Sequence, residues 1–248
     1  LGLDFLSSPF SIEAVDLLNS INIPAWKIGS GETNNLPLIH SIAKTKKPIL
    51  LSTGMSSYEE IEDIIEIIQS NKINFAIFQC TSAYPCPPEK IGLNLLQEFR
   101  TKYNCPVGLS DHSGTIYPSL AAASLGANIL EVHTVFSKEC FGPDVASSIT
   151  TSELKELVNG VRLIESILSS PIDKDANASE MANMKAIFEK SLYIRSDIPK
   201  GHKLSLDDIT LKKPGTGIPA KELPNVLGKI IQRSYSANEQ LKEKDLAE

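Results

Sequence analysis

Two short runs, Ser110-Asp111-His112 and Glu131-Val132-His133, bring together two of the four histidines of the chain, each beside a carboxylate. Both runs close an apolar segment. In an extended strand alternate residues share a face, so Glu131 and His133 point one way while Val132 points the other. Neutral imidazoles with positions left open for water and substrate suit a divalent ion such as Mn²⁺. The plainer alternative is two unrelated polar residues at strand ends. The pairing on neighbouring segments favours a metal or catalytic role.

Lys27 is the next candidate. It closes the apolar run Pro24-Ala25-Trp26-Lys27-Ile28, and burying an ammonium there is costly unless an anion or carboxylate meets it. Three roles are open: an anion clamp, a structural ion pair or a Schiff-base amine. Ser8, Ser30, Ser52, Ser82 and Ser110 follow or close successive apolar runs. Short hydroxyl donors around one lysine suit a carboxylate or phosphate, although each serine alone could equally cap a helix. Tyr84 is either an aromatic lid or a hydroxyl for a sugar. Asp144, in the run Phe141-Gly142-Pro143-Asp144, could bind a hydroxylated substrate or simply shape a turn.

The elements that must position these groups repeat a strand-then-helix rhythm. Apolar runs at 3–6, 25–28, 49–52, 75–80, 107–109 and 129–132 read as buried parallel strands. Helical patterns cover 11–18, 57–65 and 151–168. Ser57 and Glu60 have capping-box spacing, and Leu154, Leu157, Val158, Val161 and Ile164 line one face of the last helix. Repeated βα units predict a parallel sheet with right-handed crossovers. About six units are countable, and a closed (β/α)₈ barrel needs eight. The segment opening at Leu1 reads as a strand already under way, so the native N-terminus is expected upstream. An open doubly wound sheet is the alternative, but no Gly-rich phosphate loop follows the first strand. Polar residues recurring at many strand ends fit a barrel, whose active site lies at the carboxyl ends.

Near Ser169-Ser170-Pro171 the composition changes. Residues 1–170 are expected to form the barrel domain, 171–190 a linker with a short helix near 181–190, and 191–248 a small β-rich domain. That tail carries a faint repeat. Gly201, Leu204, Asp208 and Ile209 recur as Asn238, Leu241, Asp245 and Leu246, each 37 residues later (241 − 204). Gly and Asn both tolerate a left-handed turn, so one turn is expected to occur twice in a pseudo-symmetric barrel.

Bulk properties narrow the function classes. The chain has 248 residues, a net charge of −6 and no basic block, which disfavours nucleic acid as a partner. No apolar run reaches membrane length. The four cysteines make no CxxC pair and read as reduced thiols of a cytoplasmic protein.

Taken together, the residues resemble the sialic acid synthase family, the N-acetylneuraminate synthases and their legionaminate and pseudaminate relatives. The motifs are Lys27-Ile28-Gly29-Ser30-Gly31-Glu32, Leu51-Ser52-Thr53-Gly54-Met55, Gln79-Cys80-Thr81-Ser82-Ala83-Tyr84-Pro85, Gly108-Leu109-Ser110-Asp111-His112, Glu131-Val132-His133 and Gly142-Pro143-Asp144. The tail is similar to the antifreeze-like SAF domain through Lys213-Pro214-Gly215-Thr216-Gly217-Ile218. The resemblance implies a TIM barrel joined to an SAF domain in a domain-swapped homodimer. It implies a transferase that condenses phosphoenolpyruvate with an N-acetylated sugar such as N-acetylmannosamine. A diacetamido-trideoxyhexose acceptor is the alternative, and a non-catalytic carbohydrate-binding protein is the alternative of another class. His112 and His133 would hold Mn²⁺ or Mg²⁺. Lys27, Ser8, Ser30 and Ser52 would grip the carboxylate side of phosphoenolpyruvate, with Ser82 and Ser110 facing its phosphate. Tyr84, Glu131 and Asp144 would contact water at the metal and the sugar. A further glutamate and lysine of the family's first two strands have no counterpart in the sequence. Lys213 stands where relatives usually carry arginine before Pro-Gly-Thr-Gly; it keeps the charge and loses the bidentate fork.

Overall fold

The computed structural model describes residues 2–247, which divide into two compact units at Ser170/Pro171. In the first unit α1 (Ile12–Ser20) leads to β1 (Trp26–Ile28), α2 (Leu36–Lys44), β2 (Ile49–Ser52) and α3 (Tyr58–Ser70). There follow β3 (Phe75–Cys80), α4 (Asn94–Tyr103), β4 (Val107–Asp111), α5 (Tyr117–Ser124), β5 (Ile129–Val135), β6 (Ser148–Thr150) and α6 (Thr151–Leu168). The six strands pair in the order β1-β2-β3-β4-β5-β6, all parallel.

That order argues against the doubly wound alternative. Right-handed crossovers that always step in the same direction put every helix on the same face of the sheet. A doubly wound sheet needs a reversal point, and none occurs here. Burial agrees. Trp26, Ile28, Ile49, Leu51, Ile77, Val107 and Leu109 form one core with Leu38, Ile39, Ile42, Ile61, Ile64, Ile68, Leu96 and Phe99 of the helices. Lys27, Ser52, Phe78, Cys80 and Ser110 alternate with these strand residues and so occupy the helix-free face. Gly108 belongs there too, because a Cβ would stand 2.7 Å from the Phe78 ring.

Local signals hold the helices in place. Ser11 caps α1 through the Ala14 N–H. Ser57 and Glu60 form both bonds of the capping box on α3, and Thr150 and Glu153 do the same on α6. Each such cap contributes about 1 kcal/mol.

Two expectations need correction. Residues 3–6 form no strand; the segment pairs with β1 only at Ser7, through a bridge to Trp26. A single neighbour on one side cannot bury it, and Leu3 and Phe5 are exposed. Leu1, the start of that expected strand, lies outside the described residues. The sixth strand is instead β6, three residues between a loop and α6, too short to show a hydrophobic period. On α6, Leu157 is buried and Leu154 and Val161 pack with Val132 and Ile149, whereas Val158 is exposed.

The second unit begins with α7 (Lys174–Glu180) and α8 (Ala182–Phe188). Then come β7 (Ser191–Ile194), β8 (Ile209–Lys212), α9 (Leu223–Val226), β9 (Ile230–Ile231) and β10 (Leu246–Ala247). β7 pairs antiparallel with β8, and β9 with β10. The repeat is visible bond by bond. Gly201 N donates to Ile231 O and Asn238 N to Ile194 O, with both turn residues at positive φ. Leu204 N donates to Lys229 O and Leu241 N to Leu192 O. Every donor and acceptor shifts by 37 residues (238 − 201, 231 − 194). Ile198 and Tyr235, also 37 apart (235 − 198), exchange both backbone bonds with each other at 3.0 Å. They therefore sit on a pseudo-twofold axis, and each half completes the turn of the other. Leu192, Ile194, Leu204, Ile231, Tyr235 and Leu241 fill the core between the halves.

Among the described residues no helix is long and apolar enough to cross a membrane, and the four cysteines are unpaired thiols.

Charged groups lock both halves. Asp245 accepts from the Tyr235 hydroxyl at 2.7 Å and from Arg233 Nε at 2.8 Å, which together hold its carboxyl below the usual carboxylate range. Asp208 is pushed up by burial, but hydrogen bonds from Ser205 and His202 outweigh that and leave it lowered. A carboxylate with a depressed folded pKa adds stability above its unfolded value and loses it as pH falls through the folded value. The thermal midpoint should therefore drop below about pH 4. Asp245→Asn should lower the midpoint at pH 7 and flatten that acid limb; an unchanged acid limb in the variant would show the cluster to be inert.

Candidate functional site

The helix-free face of the first unit gathers the sequence-selected polar residues. Lys27 on β1 donates to Ser52 Oγ on β2 at 2.8 Å and pairs with Glu131 Oε1 on β5 at 3.1 Å. Four strand spacings separate β1 from β5, roughly 19 Å in a flat sheet. A lysine and a glutamate side chain cannot span that distance, so the sheet curls tightly around this pair. Ser110 on β4 donates to the same Glu131 oxygen at 2.7 Å. Glu131 Oε2 has no protein partner among the described residues.

Lys27 is thus met by a carboxylate, one of its three expected roles. Its alkyl stem follows strand alternation: Trp26 and Ile28 are fully buried toward the helices, which turns Lys27 inward. Its ammonium also lies 5.5 Å from the Phe78 ring centre, a cation–π contact.

Beside this pair lies an aromatic and imidazole cluster. The rings of His112 and His133 stand 5.1 Å apart, and Tyr84 lies 4.3 Å from the first and 5.8 Å from the second. His112 follows β4 directly and is buried. Its Nδ1 is 2.9 Å from Thr81 O. A carbonyl can only accept, so Nδ1 carries the proton and Nε2 presents its lone pair. The bond also fixes the ring plane, as is usual for a metal-binding imidazole. Cys86 N donates to His112 O at 2.9 Å, which ties the loop after β3 to the end of β4. His133 is half-buried on β5, with Asp144 Oδ2 3.8 Å from its Nδ1, and Val132 between Glu131 and His133 packs on the opposite face.

The donor set fits a divalent ion with two protein imidazoles and several exchangeable positions. Among the described residues no three His, Cys, Asp or Glu side chains converge to hold a metal, so a closed structural site is not what these residues build.

A second cradle adjoins the first. Gly54, just past β2, donates its N–H to Ser30 Oγ at 2.9 Å. A Cβ on Gly54 would lie 2.6 Å from Ser82 Oγ, 2.8 Å from Ser30 Oγ and 3.0 Å from Cys80 Sγ. Only glycine lets these three side chains meet. Ser8 sits one residue past the bridge to β1 and is half-buried, with no side-chain hydrogen bond in the cluster. Lys213 belongs to the second unit. It is exposed, and its ammonium rests 4.9 Å from the Phe188 ring centre of α8. Its loop is pinned by Ser191 Oγ, which donates to Pro214 O and accepts from Gly217 N.

Three contributors, Thr81, Cys80 and Lys138, escaped sequence reasoning. Thr81 acts through its backbone carbonyl, which no side-chain pattern reveals. Cys80 shares the inward face with Phe78, which strand alternation could have shown. Asp111, the carboxylate beside His112 in the sequence, is buried, points away from the site and holds Ser113 N and Oγ at 2.8 and 3.0 Å; burial pushes its carboxyl up, against those bonds. Lys138 donates to Gly114 O and Ser148 O, joining the loops after β4 and β5.

A model of the NeuB family matches residues 1–173, and a model of the SAF domain matches residues 189–247. The chain is 39% identical over 242 residues to an N,N'-diacetyllegionaminic acid synthase of Campylobacter jejuni, covering 96% of this chain and 72% of that protein. It is 37% identical over 233 residues to the N-acetylneuraminate-9-phosphate synthase of Homo sapiens, covering 93% of this chain and 64% of that protein. Among solved structures, an N-acetylneuraminic acid synthetase from Leptospira borgpetersenii superposes with a TM-score of 0.66 at 30% identity, over 71% of this chain and 63% of that one.

The Gly54 contacts make a direct test. Gly54→Ala must displace Ser30, Ser82 or Cys80, and strain of this kind costs about 1–3 kcal/mol. Urea unfolding of Gly54→Ala should show that loss; a variant as stable as the parent would mean the cradle is loose.

Proposed function

Because the chain belongs to the NeuB family and carries an SAF domain, we propose that it condenses phosphoenolpyruvate with an N-acetylated sugar aldehyde and water, giving a nonulosonic acid and phosphate. The observation that carries this reading is the convergence of Lys27, Glu131, Ser110 and Ser52 beside His112 and His133 on one curled face. That face offers a cation and hydroxyl donors to an anion, next to two imidazoles and a carboxylate.

In the proposed mechanism, Lys27 and the hydroxyls of Ser8, Ser30 and Ser52 hold the carboxylate of phosphoenolpyruvate, while Ser82 and Ser110 face its phosphate. Two oriented groups gain their rate from position. His112 and His133 would hold Mn²⁺ or Mg²⁺, which supplies Lewis-acid polarisation of the aldehyde oxygen when bound. C3 of phosphoenolpyruvate attacks the aldehyde carbon, and the carbonyl π electrons move to its oxygen, which takes a proton. Water adds to C2, its proton passing toward Glu131 Oε2. The C2 hydroxyl of the resulting centre gives up its proton to the departing phosphate as the C2–O bond to phosphate breaks, leaving the keto acid and inorganic phosphate. Tyr84 and Asp144 stand near the imidazoles, where they can bind sugar hydroxyls or the acetamido group.

The same proposal includes completion of the six-stranded sheet as a (β/α)₈ barrel, a domain-swapped homodimer, a sugar contact from Lys213 and a cytoplasmic location. N-acetylmannosamine is the first acceptor to test. A diacetamido-trideoxyhexose is a second, favoured by the 39% identity to a legionaminic acid synthase.

The protein supplied with Mn²⁺, phosphoenolpyruvate and either sugar should release phosphate; no release with any N-acetylated aldose would reject the reaction. His112→Ala should lose roughly two orders of magnitude in turnover. Undiminished turnover in that variant would remove the metal assignment alone.

A further inference from the structure

Cys80 is a buried nucleophilic group at the centre of the site to which this reaction gives no task. It ends β3, is 6% exposed and faces inward with Phe78. The Ser30 hydroxyl donates to its sulfur at 3.7 Å while accepting from Gly54 N at 2.9 Å. Across the strand pair its register partner is Ser110. Ser110 donates to Glu131, and Glu131 pairs with Lys27. The sulfur therefore touches the Ser30–Gly54 arm of the cradle and lies in register with Ser110 of the Ser110–Glu131–Lys27 arm.

Sulfur suits that junction. A thiol is a weak acceptor, so a hydroxyl aimed at it is oriented yet weakly held. An oxygen in its place would bind the hydroxyl proton more strongly and compete with an arriving anion. Burial pushes the Cys80 thiol up, against the opposing hydrogen bond of Ser30, so it adds no negative charge beside an anionic ligand at neutral pH.

We propose that Cys80 is a positioning residue that parks the Ser30 hydroxyl in a weak hydrogen bond, from which the proton turns onto an incoming phosphoenolpyruvate anion at little cost. This rests on the reading of the face as a phosphoenolpyruvate site. The structural consequence is specific to one substrate: the parking bond must break for the anion and need not break for the sugar.

The test compares Cys80→Ser and Cys80→Ala by steady-state kinetics with each substrate varied, alongside thermal midpoints. Cys80→Ser should raise the KM for phosphoenolpyruvate about three- to tenfold, the worth of one ordinary hydrogen bond, with kcat and the sugar KM nearly unchanged. Cys80→Ala removes the competing acceptor and should raise that KM less. A residue that only fills space predicts the reverse order, because serine nearly replaces the lost volume and alanine leaves a gap. That reverse order, or an unchanged KM in Cys80→Ser, overturns the proposal. In a Ser30→Ala background the Cys80→Ser effect should vanish; its persistence also overturns it. Wild-type protein that neither turns over phosphoenolpyruvate nor binds it in calorimetry would defeat the underlying reading, a result distinct from normal wild-type turnover with an indifferent Cys80.

Discussion

The ion pair between Lys27 and Glu131 is the constraint on which the first unit turns. It joins the first strand of the sheet to the fifth, and no flat arrangement of parallel strands brings those positions together. Curl, one-sided helices and an inward polar face are one fact seen three ways. The pair also explains how a lysine is tolerated between Trp26 and Ile28, which are both fully buried. An ammonium in that position needs compensation, and it receives a carboxylate, a hydroxyl and an aromatic face. Ser110 reinforces the same oxygen, so the loss of any one partner would leave the others imperfectly satisfied.

Much of this was legible in the sequence because alternation is a strong signal. The period of two placed Glu131 and His133 together and turned Val132 away. Lys27 announced itself as a charge inside an apolar run. The capping box at Ser57 follows from short-range chemistry that needs no tertiary information. Other features could not be read. β6 is three residues long, too few for a period to register. Residues 3–6 have strand composition yet lack neighbours to pair with on both sides, and composition does not report neighbours. Thr81 orients His112 through a carbonyl that every residue type possesses. The meeting of Ser30, Ser82 and Cys80 depends on the absence of a side chain at Gly54, which a sequence shows as one glycine among fourteen.

The second unit gave its symmetry away through only a few repeated residues. Leu204 and Leu241 persist because both fill the shared core, and Gly201 and Asn238 because both turns need a left-handed residue. The charged partners diverged: Asp208 is satisfied by Ser205 and His202, whereas Asp245 is satisfied by Tyr235 and Arg233. The backbone pattern was kept while the side chains that stabilise each copy went separate ways.

That interlocked backbone has a kinetic meaning. Each half pairs its own two strands, but its turn is completed only by a strand of the other half. The contacts that close the turns span the chain as far as Leu192 and Leu241, so the entropy of closing those loops is met late and is offset only when both halves are present. Two hairpin-like halves can thus form locally, but the finished unit waits on their meeting.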